Sequence, residues 1–163
     1  MAIERLLHLR AVPSQNLPAY DQTLLLNEMN LFRDWLCGQQ LTLQLTTDEQ
    51  AMLDQVFGCL AESALAQPVV TVHRDYHSRN LMVLTDGDLG IIDFQDAVAG
   101  PVTYDLVSLL RDCYVRWPEA LVDELSACYW EAARQRGIYP HSREQFVRDL
   151  DWMGMQRHLK AAG

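Results

Sequence analysis

Residues 69–105 read VVTVHRDYHSRNLMVLTDGDLGIIDFQDAVAGPVTYD, and they carry the most informative pattern in this 163-residue chain. The β-branched run Val69–Val72 predicts a strand that ends at a charged loop. Apolar runs at residues 81–84 and 89–92 flank an Asp-Gly pair, which is a strong signal for a β-hairpin. The segment therefore predicts a strand, a polar loop, a hairpin and then a helix that begins at Asp105.

The predicted hairpin brings three oxygen-bearing side chains close together. It sets Asn80, at the start of one strand, beside Asp93, at the end of the other, and Asp75 lies in the loop at the same end. Asn and Asp oxygens are ligands that suit Mg²⁺, which completes its shell with phosphates and water. A carboxylate that binds no metal can accept a proton from an attacking hydroxyl. These residues therefore predict a phosphoryl-transfer site, with Asp75 as catalytic base and Asn80 and Asp93 as metal ligands.

The spacing of these residues is also similar to a known pattern. The motif HRDYHSRN at residues 73–80, followed by a hairpin and Asp93, resembles the catalytic loop and metal-binding Asp of the protein-kinase-like superfamily. Within it, residues 92–97, IDFQDA, and 100–106, GPVTYDL, look like the aminoglycoside phosphotransferase family of small-molecule kinases. Similar segments are present at residues 17–21, 109–112 and 152–160. The resemblance covers nearly the whole chain.

The resemblance implies an α+β, mainly helical fold. We expect residues 1–163 to form the C-terminal lobe of a protein-kinase-like fold, with a small catalytic β-hairpin and about five helices. The implied reaction moves the γ-phosphoryl group of ATP (or GTP), with Mg²⁺, to a sugar hydroxyl. The motifs look like those of family members that act on the anomeric hydroxyl of N-acetylmuramate and N-acetylglucosamine during cell-wall recycling. An aminoglycoside or another small molecule stays open as the acceptor.

A kinase of this superfamily also has a strand-rich nucleotide lobe. That lobe carries a Gly-rich loop over the phosphates and a Lys on a strand. The chain has no cluster of glycines, and its one lysine is Lys160. We therefore expect the N-terminal nucleotide lobe to be absent from this chain, and the chain alone to be inactive. The second hypothesis is a non-catalytic kinase-like binding module, although a scaffold has no need of Asp75, Asn80 and Asp93 together.

Other polar residues of these motifs are expected to support the loop or to contact substrate. His73 is expected to pack under the loop. Asp105 is expected to accept backbone N–H groups at a helix start. In the related kinases, an Asp at this place braces the catalytic loop. Trp152 could stack on a sugar ring. The candidates for substrate contact, each with a surface or structural role as the alternative, are Tyr76, His77, Arg79, Asp96, Arg111, Asp112, Trp152, Gln156, Arg157 and His158.

The loop also permits a metallohydrolase hypothesis. Alternate residues of an extended segment face the same way, so His73, Asp75 and His77 could bind Zn²⁺ or Fe²⁺, with Asp93 as a fourth ligand. The apolar strand ends at Val72, however, so the extended conformation that this site needs is not predicted there. Metal preference separates the two hypotheses, because a kinase uses Mg²⁺ with nucleotide.

Composition limits which binding partners and which cellular compartment are expected. A net charge of −9 argues against nucleic acid, since phosphate backbones are held by clustered Lys and Arg. No apolar run reaches the length of a membrane span, so no membrane partner is expected. The four cysteines lack C-x-x-C spacing and are predicted to be buried free thiols of a reducing compartment. One domain in the cytoplasm is the resulting expectation.

Apolar periodicity predicts helices over most of the remaining chain. Residues 11–20 contain two prolines and are predicted to be a loop, either a connector or a lip over the substrate. Helices are expected over residues 21–37, from a capping box at Thr47 and Gln50, over 105–117, from Pro118 to Gly137, and from a capping box at Ser142 and Gln145.

Overall fold

A computed structural model describes residues 1–163 and contains six α-helices and two small antiparallel sheets. The helices are α1 (Ala2–Arg10), α2 (Gln22–Leu31), α3 (Thr47–Leu65), α4 (Tyr104–Leu110), α5 (Glu119–Gln135) and α6 (Arg143–Ala162). The strands are β1 (Val69–Val72), β2 (Leu81–Val83), β3 (Leu89–Ile91) and β4 (Val98–Pro101). A π-helical segment, Phe32–Gln40, continues α2. The mainly helical α+β class is confirmed, with one helix more than expected.

The predicted hairpin is present and is formed by β2 and β3. Leu81 pairs with Ile91, and Gly87 in the turn has φ +84°, which glycine adopts without steric cost. Beyond the paired strands, the Ile92 N–H donates to the Asn80 carbonyl at 3.1 Å. The hairpin therefore joins the end of the polar loop to the segment that carries Asp93.

The second sheet pairs β1 with β4, and the sequence did not indicate β4. Val69 pairs with Pro101 and Val72 with Val98. The short run Val-Ala-Gly-Pro is atypical of a strand, because glycine weakens strands and proline cannot donate to the ladder. Gly100 is needed for close packing, since a Cβ there would lie 2.9 Å from the Tyr20 Cβ.

Residues 18–20 are attached to this sheet. The Tyr20 N–H donates to the Ala99 carbonyl, and the Ala99 N–H donates to the Pro18 carbonyl, each at 2.8 Å. The segment predicted as a free loop is thus fixed at its end before α2 begins. Asp21 caps that helix by accepting a hydrogen bond from the Leu24 N–H at 2.9 Å.

The core lies where α6 packs against α2, α3 and α4. All seven residues of α4 are buried, so this short helix is surrounded by the rest of the protein. The largest buried side chains include Tyr76, Tyr104, Tyr129, Tyr139, Phe57 and Phe146. The polar loop between β1 and the hairpin therefore lies against a closely packed core.

Three local predictions need correction. The capping box of α3 is formed by Thr46 and Glu49, not by Thr47 and Gln50, because the Thr46 N–H and hydroxyl both reach the Glu49 carboxylate. Helix α4 ends at Leu110, well before Trp117. Among the cysteines only Cys37 is buried, and the other three are exposed free thiols. Ser142 caps α6 as expected, accepting from the Gln145 N–H at 3.3 Å.

None of the helices combines the length and the hydrophobicity that crossing a membrane requires.

Candidate active site

The three residues predicted to carry the chemistry meet at the end of the hairpin. Asn80 Nδ2 donates to the backbone carbonyl of Asp75 at 2.9 Å and lies 3.4 Å from Asp93 Oδ2. Asn80 is buried, Asp75 is half-buried and Asp93 is exposed. The loop and the hairpin therefore bring the Asn80 amide against the Asp75 backbone and close to the Asp93 carboxylate.

The backbone on both sides of this point is strained. Only three residues other than glycine have a positive φ, and two of them are Arg74, at 75°, and Asp93, at 68°. An L-residue with a side chain rarely adopts this conformation, and such residues cluster at functional sites. The surrounding contacts therefore hold the residue before Asp75 and Asp93 itself in conformations that free chains avoid.

Asp105 holds the loop from below. Its carboxylate accepts the His73 N–H at 2.8 Å and the Arg74 N–H at 3.0 Å. It does not cap its own helix, in which Thr103 takes the N-cap position. Arg10 from α1, which the sequence did not single out, donates to Asp105 at 2.8 Å and also to the Thr71 and Val102 carbonyls. Both side chains of this ion pair are fully buried.

His73 lies under the loop. It is buried, and its Nε2 is 3.0 Å from the Ile92 carbonyl, next to Asp93. His77 packs edge-on against the Tyr114 ring, with centroids 5.2 Å apart. No group of three or more His, Cys, Asp or Glu side chains is arranged to hold a metal ion. The four-ligand metallohydrolase site is therefore not formed.

Asn80 and Asp93 together fit a magnesium ion. Because Asn80 Nδ2 is engaged by the Asp75 carbonyl and approaches Asp93, the amide orientation leaves Oδ1 without a protein partner. That oxygen and the Asp93 carboxylate, whose Oδ1 accepts a hydrogen bond from Gln95 Nε2 at 2.8 Å, are the hard oxygen ligands that would hold the ion. Mg²⁺ usually takes one or two protein oxygens and completes its shell with waters and substrate phosphates.

A buried polar cluster centred on Glu28 was not anticipated from the sequence. Glu28, on α2, accepts from Arg74 Nη2 at 2.5 Å, from Lys160 Nζ at 3.1 Å and from the Tyr20 hydroxyl. Burial opposes the charge of Glu28, but Lys160, Tyr20 and Arg74 outweigh it and lower the pKa of this carboxyl. The cluster therefore ties α2 and the end of α6 to the residue before Asp75.

Asp75 faces a cavity of about 330 Å³ between the loop and α6. The residues that line the cavity are Asp75, His77, Tyr104, Cys113, Tyr114, Arg157, Lys160 and Ala161. Of the predicted substrate contacts, the structure thus brings His77 and Arg157 to Asp75. Lys160 was not among the predicted site residues, although it is the single lysine of the chain.

Asp112 and Arg79 lie beside this cavity and shape its rim. The Asp112 carboxylate accepts the Ser78 N–H at 3.0 Å, the Ser78 hydroxyl at 2.6 Å and the Tyr114 N–H at 2.8 Å. Burial opposes the charge of Asp112, but these hydrogen bonds and nearby His77 lower its pKa. The exposed Arg79 guanidinium lies 3.8 Å from the centre of the Tyr114 ring.

Three predicted substrate contacts do not reach the Asp75 cavity. Tyr76 is fully buried, and its hydroxyl donates to the Ala2 carbonyl at 2.8 Å. Gln156 is fully buried, with Nε2 3.4 Å from Glu28. Trp152 lines a separate cavity between α3 and α6, together with Cys59 and Asp149, so it is not available to stack on a sugar at Asp75.

Three further candidates also lie away from the Asp75 cavity. Arg111 pairs with Asp151, and His158 Nε2 is 3.3 Å from the Arg111 carbonyl. Arg111 and His158 line another cavity, of about 630 Å³, which does not include Asp75. Asp96 is exposed in the turn that follows Asp93.

Comparisons with known proteins place this site in a family. The sequence profile of APH, the phosphotransferase enzyme family, matches residues 1–144. An N-acetylmuramate/N-acetylglucosamine kinase of Neisseria meningitidis serogroup B is 48% identical over 148 residues, covering 90% of this chain and 44% of that protein. A protein of the same name from Pseudomonas putida is 47% identical over 164 residues, covering 99% of this chain and 48% of that protein.

The structural comparison agrees. The crystal structure of an aminoglycoside-3'-phosphotransferase of type VIII superposes with a TM-score of 0.56 at 16% identity, over 93% of this chain and 58% of that one. At this identity the match establishes the shared fold. The chain spans about half the length of the curated relatives that it matches. With the profile matching most of its residues, the chain belongs to the APH phosphotransferase enzyme family.

Proposed function

We propose that this chain forms the catalytic and acceptor-binding part of a sugar kinase. The reaction transfers the γ-phosphoryl group of ATP (or GTP) to the anomeric hydroxyl of N-acetylmuramate or N-acetylglucosamine. The observation that carries the proposal is that Asn80 contacts both the Asp75 backbone and the Asp93 carboxylate, which brings the three residues together at the end of the hairpin. The names of the relatives that are nearly half identical support the choice of sugar.

Each of the three residues has a distinct part in the proposed reaction. The Asp75 carboxylate orients the sugar hydroxyl and accepts its proton as the new oxygen–phosphorus bond forms. The bond between the γ-phosphorus and the bridging oxygen breaks at the same time, and the nucleoside diphosphate leaves. Asn80 Oδ1 and Asp93 would hold Mg²⁺, which supplies neutralisation of the charge on the phosphates.

We propose that the remaining part of the phosphate clamp comes from residues outside this chain. Lys160 is the only lysine, and it is engaged by Glu28 and Tyr104, each at 3.1 Å. It is therefore not available to take the place of the strand Lys that pairs with nucleotide phosphates in this superfamily. That the chain spans about half the length of its relatives is consistent with a second, nucleotide-binding lobe.

The proposal is tested with a fusion protein that joins this chain to the part of the Pseudomonas putida relative outside the matched region. Steady-state kinetics are measured with ATP, Mg²⁺ and N-acetylmuramate. Asp75→Asn removes the proton acceptor and keeps the size of the side chain, so kcat should fall by about 10²–10⁴-fold. The matched control is Asp123→Asn, which changes an exposed carboxylate on α5.

The two variants in this assay distinguish the kinase hypothesis from the binding-module hypothesis. Turnover that is lost in Asp75→Asn and kept in Asp123→Asn supports the kinase. If Asp75→Asn keeps most of its kcat, Asp75 is not the catalytic base. If neither form turns over although both bind the sugar, the chain is a kinase-like binding module.

An aminoglycoside acceptor is the second candidate, and one observation favours it. The net charge of −9 would attract a polycationic aminocyclitol to the protein. The cavity beside Asp75, however, carries the cations Arg157 and Lys160. Lys160 is paired with Glu28, but Arg157 has no carboxylate partner and therefore favours a neutral or anionic sugar, so the same fusion protein should turn over kanamycin poorly.

A further inference from the structure

Arg157 is a buried cation without an anionic partner. It lies on α6 with 6% of its surface exposed, and its Nη1 contacts the Cys113 Sγ at 3.5 Å. Its Nε is buried and has no hydrogen-bond partner. A thiol is a weak acceptor, and a guanidinium removed from water is costly unless it is paired. The site therefore lacks the negative charge that would balance Arg157.

The other inward-facing arginines are paired, which sets Arg157 apart. Arg10 binds Asp105 at 2.8 Å, and Arg74 binds Glu28 at 2.5 Å. Both belong to structural contacts that hold the loop. Arg157 is buried as an arginine in a structural ion pair would be, but it has no carboxylate partner.

No acidic side chain nearby is positioned to balance Arg157. Glu28 is occupied by Tyr20, Arg74 and Lys160. Asp112 is occupied by hydrogen bonds from Ser78 and Tyr114. Asp75 lines the same cavity as Arg157, yet the two form no ion pair. A counter-ion would therefore come from a bound molecule.

The cavity has the size and position for an acceptor sugar. Its volume of about 330 Å³ lies in the range of small-molecule sites, and Asp75 in its wall marks where a hydroxyl would react. N-Acetylmuramate differs from N-acetylglucosamine by a lactyl ether that ends in a carboxylate. A guanidinium is well suited to a carboxylate because its planar fork can donate two parallel hydrogen bonds.

We propose that Arg157 forms a carboxylate-binding subsite of the acceptor cavity and makes this protein prefer an acidic sugar over its neutral counterpart. The inference rests on the proposed function, because it assigns a specificity to that same site. A phosphate group has the same chemistry and could come from the nucleotide. The acceptor carboxylate is favoured because Asn80 and Asp93, which would hold the metal and its phosphates, do not line this cavity.

The test measures binding to the 163-residue chain by isothermal titration calorimetry. The probes are N-acetylmuramate, N-acetylglucosamine and inorganic phosphate. Arg157→Gln removes the charge, and Arg157→Lys keeps the charge but loses the planar fork. Arg148→Gln is the matched control, since Arg148 is an exposed arginine on the same helix that donates to Gln145. Circular dichroism melting of each variant reports whether it is folded.

The wild-type chain should bind N-acetylmuramate at least about tenfold more tightly than N-acetylglucosamine, as expected for one charge-assisted contact. Arg157→Gln should remove this preference, Arg157→Lys should reduce it, and Arg148→Gln should keep it. If Arg157→Gln does not fold, Arg157→Lys decides, and an undiminished preference in that variant contradicts the inference.

Other outcomes separate this inference from the proposed function. Equal binding of both sugars by the wild-type chain, or a preference that survives Arg157→Gln, overturns the subsite and leaves a sugar site in place. Arg157→Gln could also lose phosphate binding while its sugar preference stays unchanged. That result would mean that Arg157 binds a nucleotide phosphate, and it would overturn the carboxylate-binding subsite. Failure of the folded wild-type chain to bind either sugar contradicts both proposals.

Discussion

Asp105 links the reacting loop to the buried interior. Its carboxylate accepts two backbone N–H groups, from His73 and Arg74, and pairs with Arg10. His73 and Arg74 lie directly before Asp75, and Arg10 lies in α1 near the start of the chain. One side chain therefore fixes the approach to the proposed catalytic base, and its loss should be felt in both stability and reactivity.

Asp105→Asn should strongly destabilise the protein. The amide keeps the size of the side chain but leaves the Arg10 charge buried without its counter-ion, which costs about 3–5 kcal/mol. Equilibrium urea unfolding followed by circular dichroism measures the loss. The exposed Asp123→Asn control should stay within about 0.5 kcal/mol of wild type. A loss below about 1 kcal/mol in Asp105→Asn would mean that Arg10 finds another partner.

Glu28 should make the stability depend on pH in the acidic range. Its pKa is lowered from the ordinary value of 4.5, so the folded protein binds this proton less readily than the unfolded chain. The stabilisation from Glu28 is therefore fully present above about pH 4.5 and is lost as the pH falls through the folded-state pKa. Urea unfolding between pH 3 and pH 7 should show this decline, and Glu28→Gln should flatten it. An unchanged pH profile in Glu28→Gln would exclude this role.

At the level of elements, the local patterns were predictable and the long-range pairings were not. The loop and the hairpin are contiguous, so spacing alone indicated that Asn80 and Asp93 would be neighbours. The pairing of β1 with β4 and the contact of Glu28 with Lys160 join distant segments and leave no local signal. An acidic residue within the apolar stripe of α2 was the one available hint of the Glu28 cluster.

Helix α6 shows why most of its predicted substrate contacts lie away from Asp75. Successive residues of a helix point about 100° apart, so neighbouring polar residues face different surroundings. Trp152 faces α3, Gln156 faces Glu28 and His158 faces Arg111, while Arg157 alone of the four lines the Asp75 cavity. The motif indicated which helix reaches the site, but the face of that helix depends on how it packs.

The junction between β4 and residues 18–20 gives a stability prediction. A Cβ on Gly100 would lie 2.9 Å from the Tyr20 Cβ, so Gly100→Ala should cost about 1–3 kcal/mol through overpacking. Urea unfolding measures the change. Gly58→Ala is the matched control, because a Cβ there meets nothing within 4 Å and alanine favours the helix, so this variant should be unchanged or more stable. Equal stability of both variants would contradict the close packing.

At the level of the whole molecule, charge is distributed unevenly. The chain carries a net charge of −9, yet the cavity at Asp75 contains Arg157 and Lys160 and a single carboxylate. Met82 and Val83 on β2, and Phe94 directly after Asp93, are exposed apolar side chains. The molecule thus has a cavity with two cationic side chains on one side of Asp75 and an open surface at Asp93.

Transfer of a phosphoryl group to the anomeric oxygen of an amino sugar is the reaction that we propose for this site. Phosphorus NMR of the fusion protein, incubated with ATP, Mg²⁺ and N-acetylmuramate, identifies the product directly. We expect a new sugar-1-phosphate resonance that grows together with ADP and is absent in Asp75→Asn. ADP with inorganic phosphate and no sugar phosphate, or a sugar phosphate formed equally well by Asp75→Asn, would contradict it.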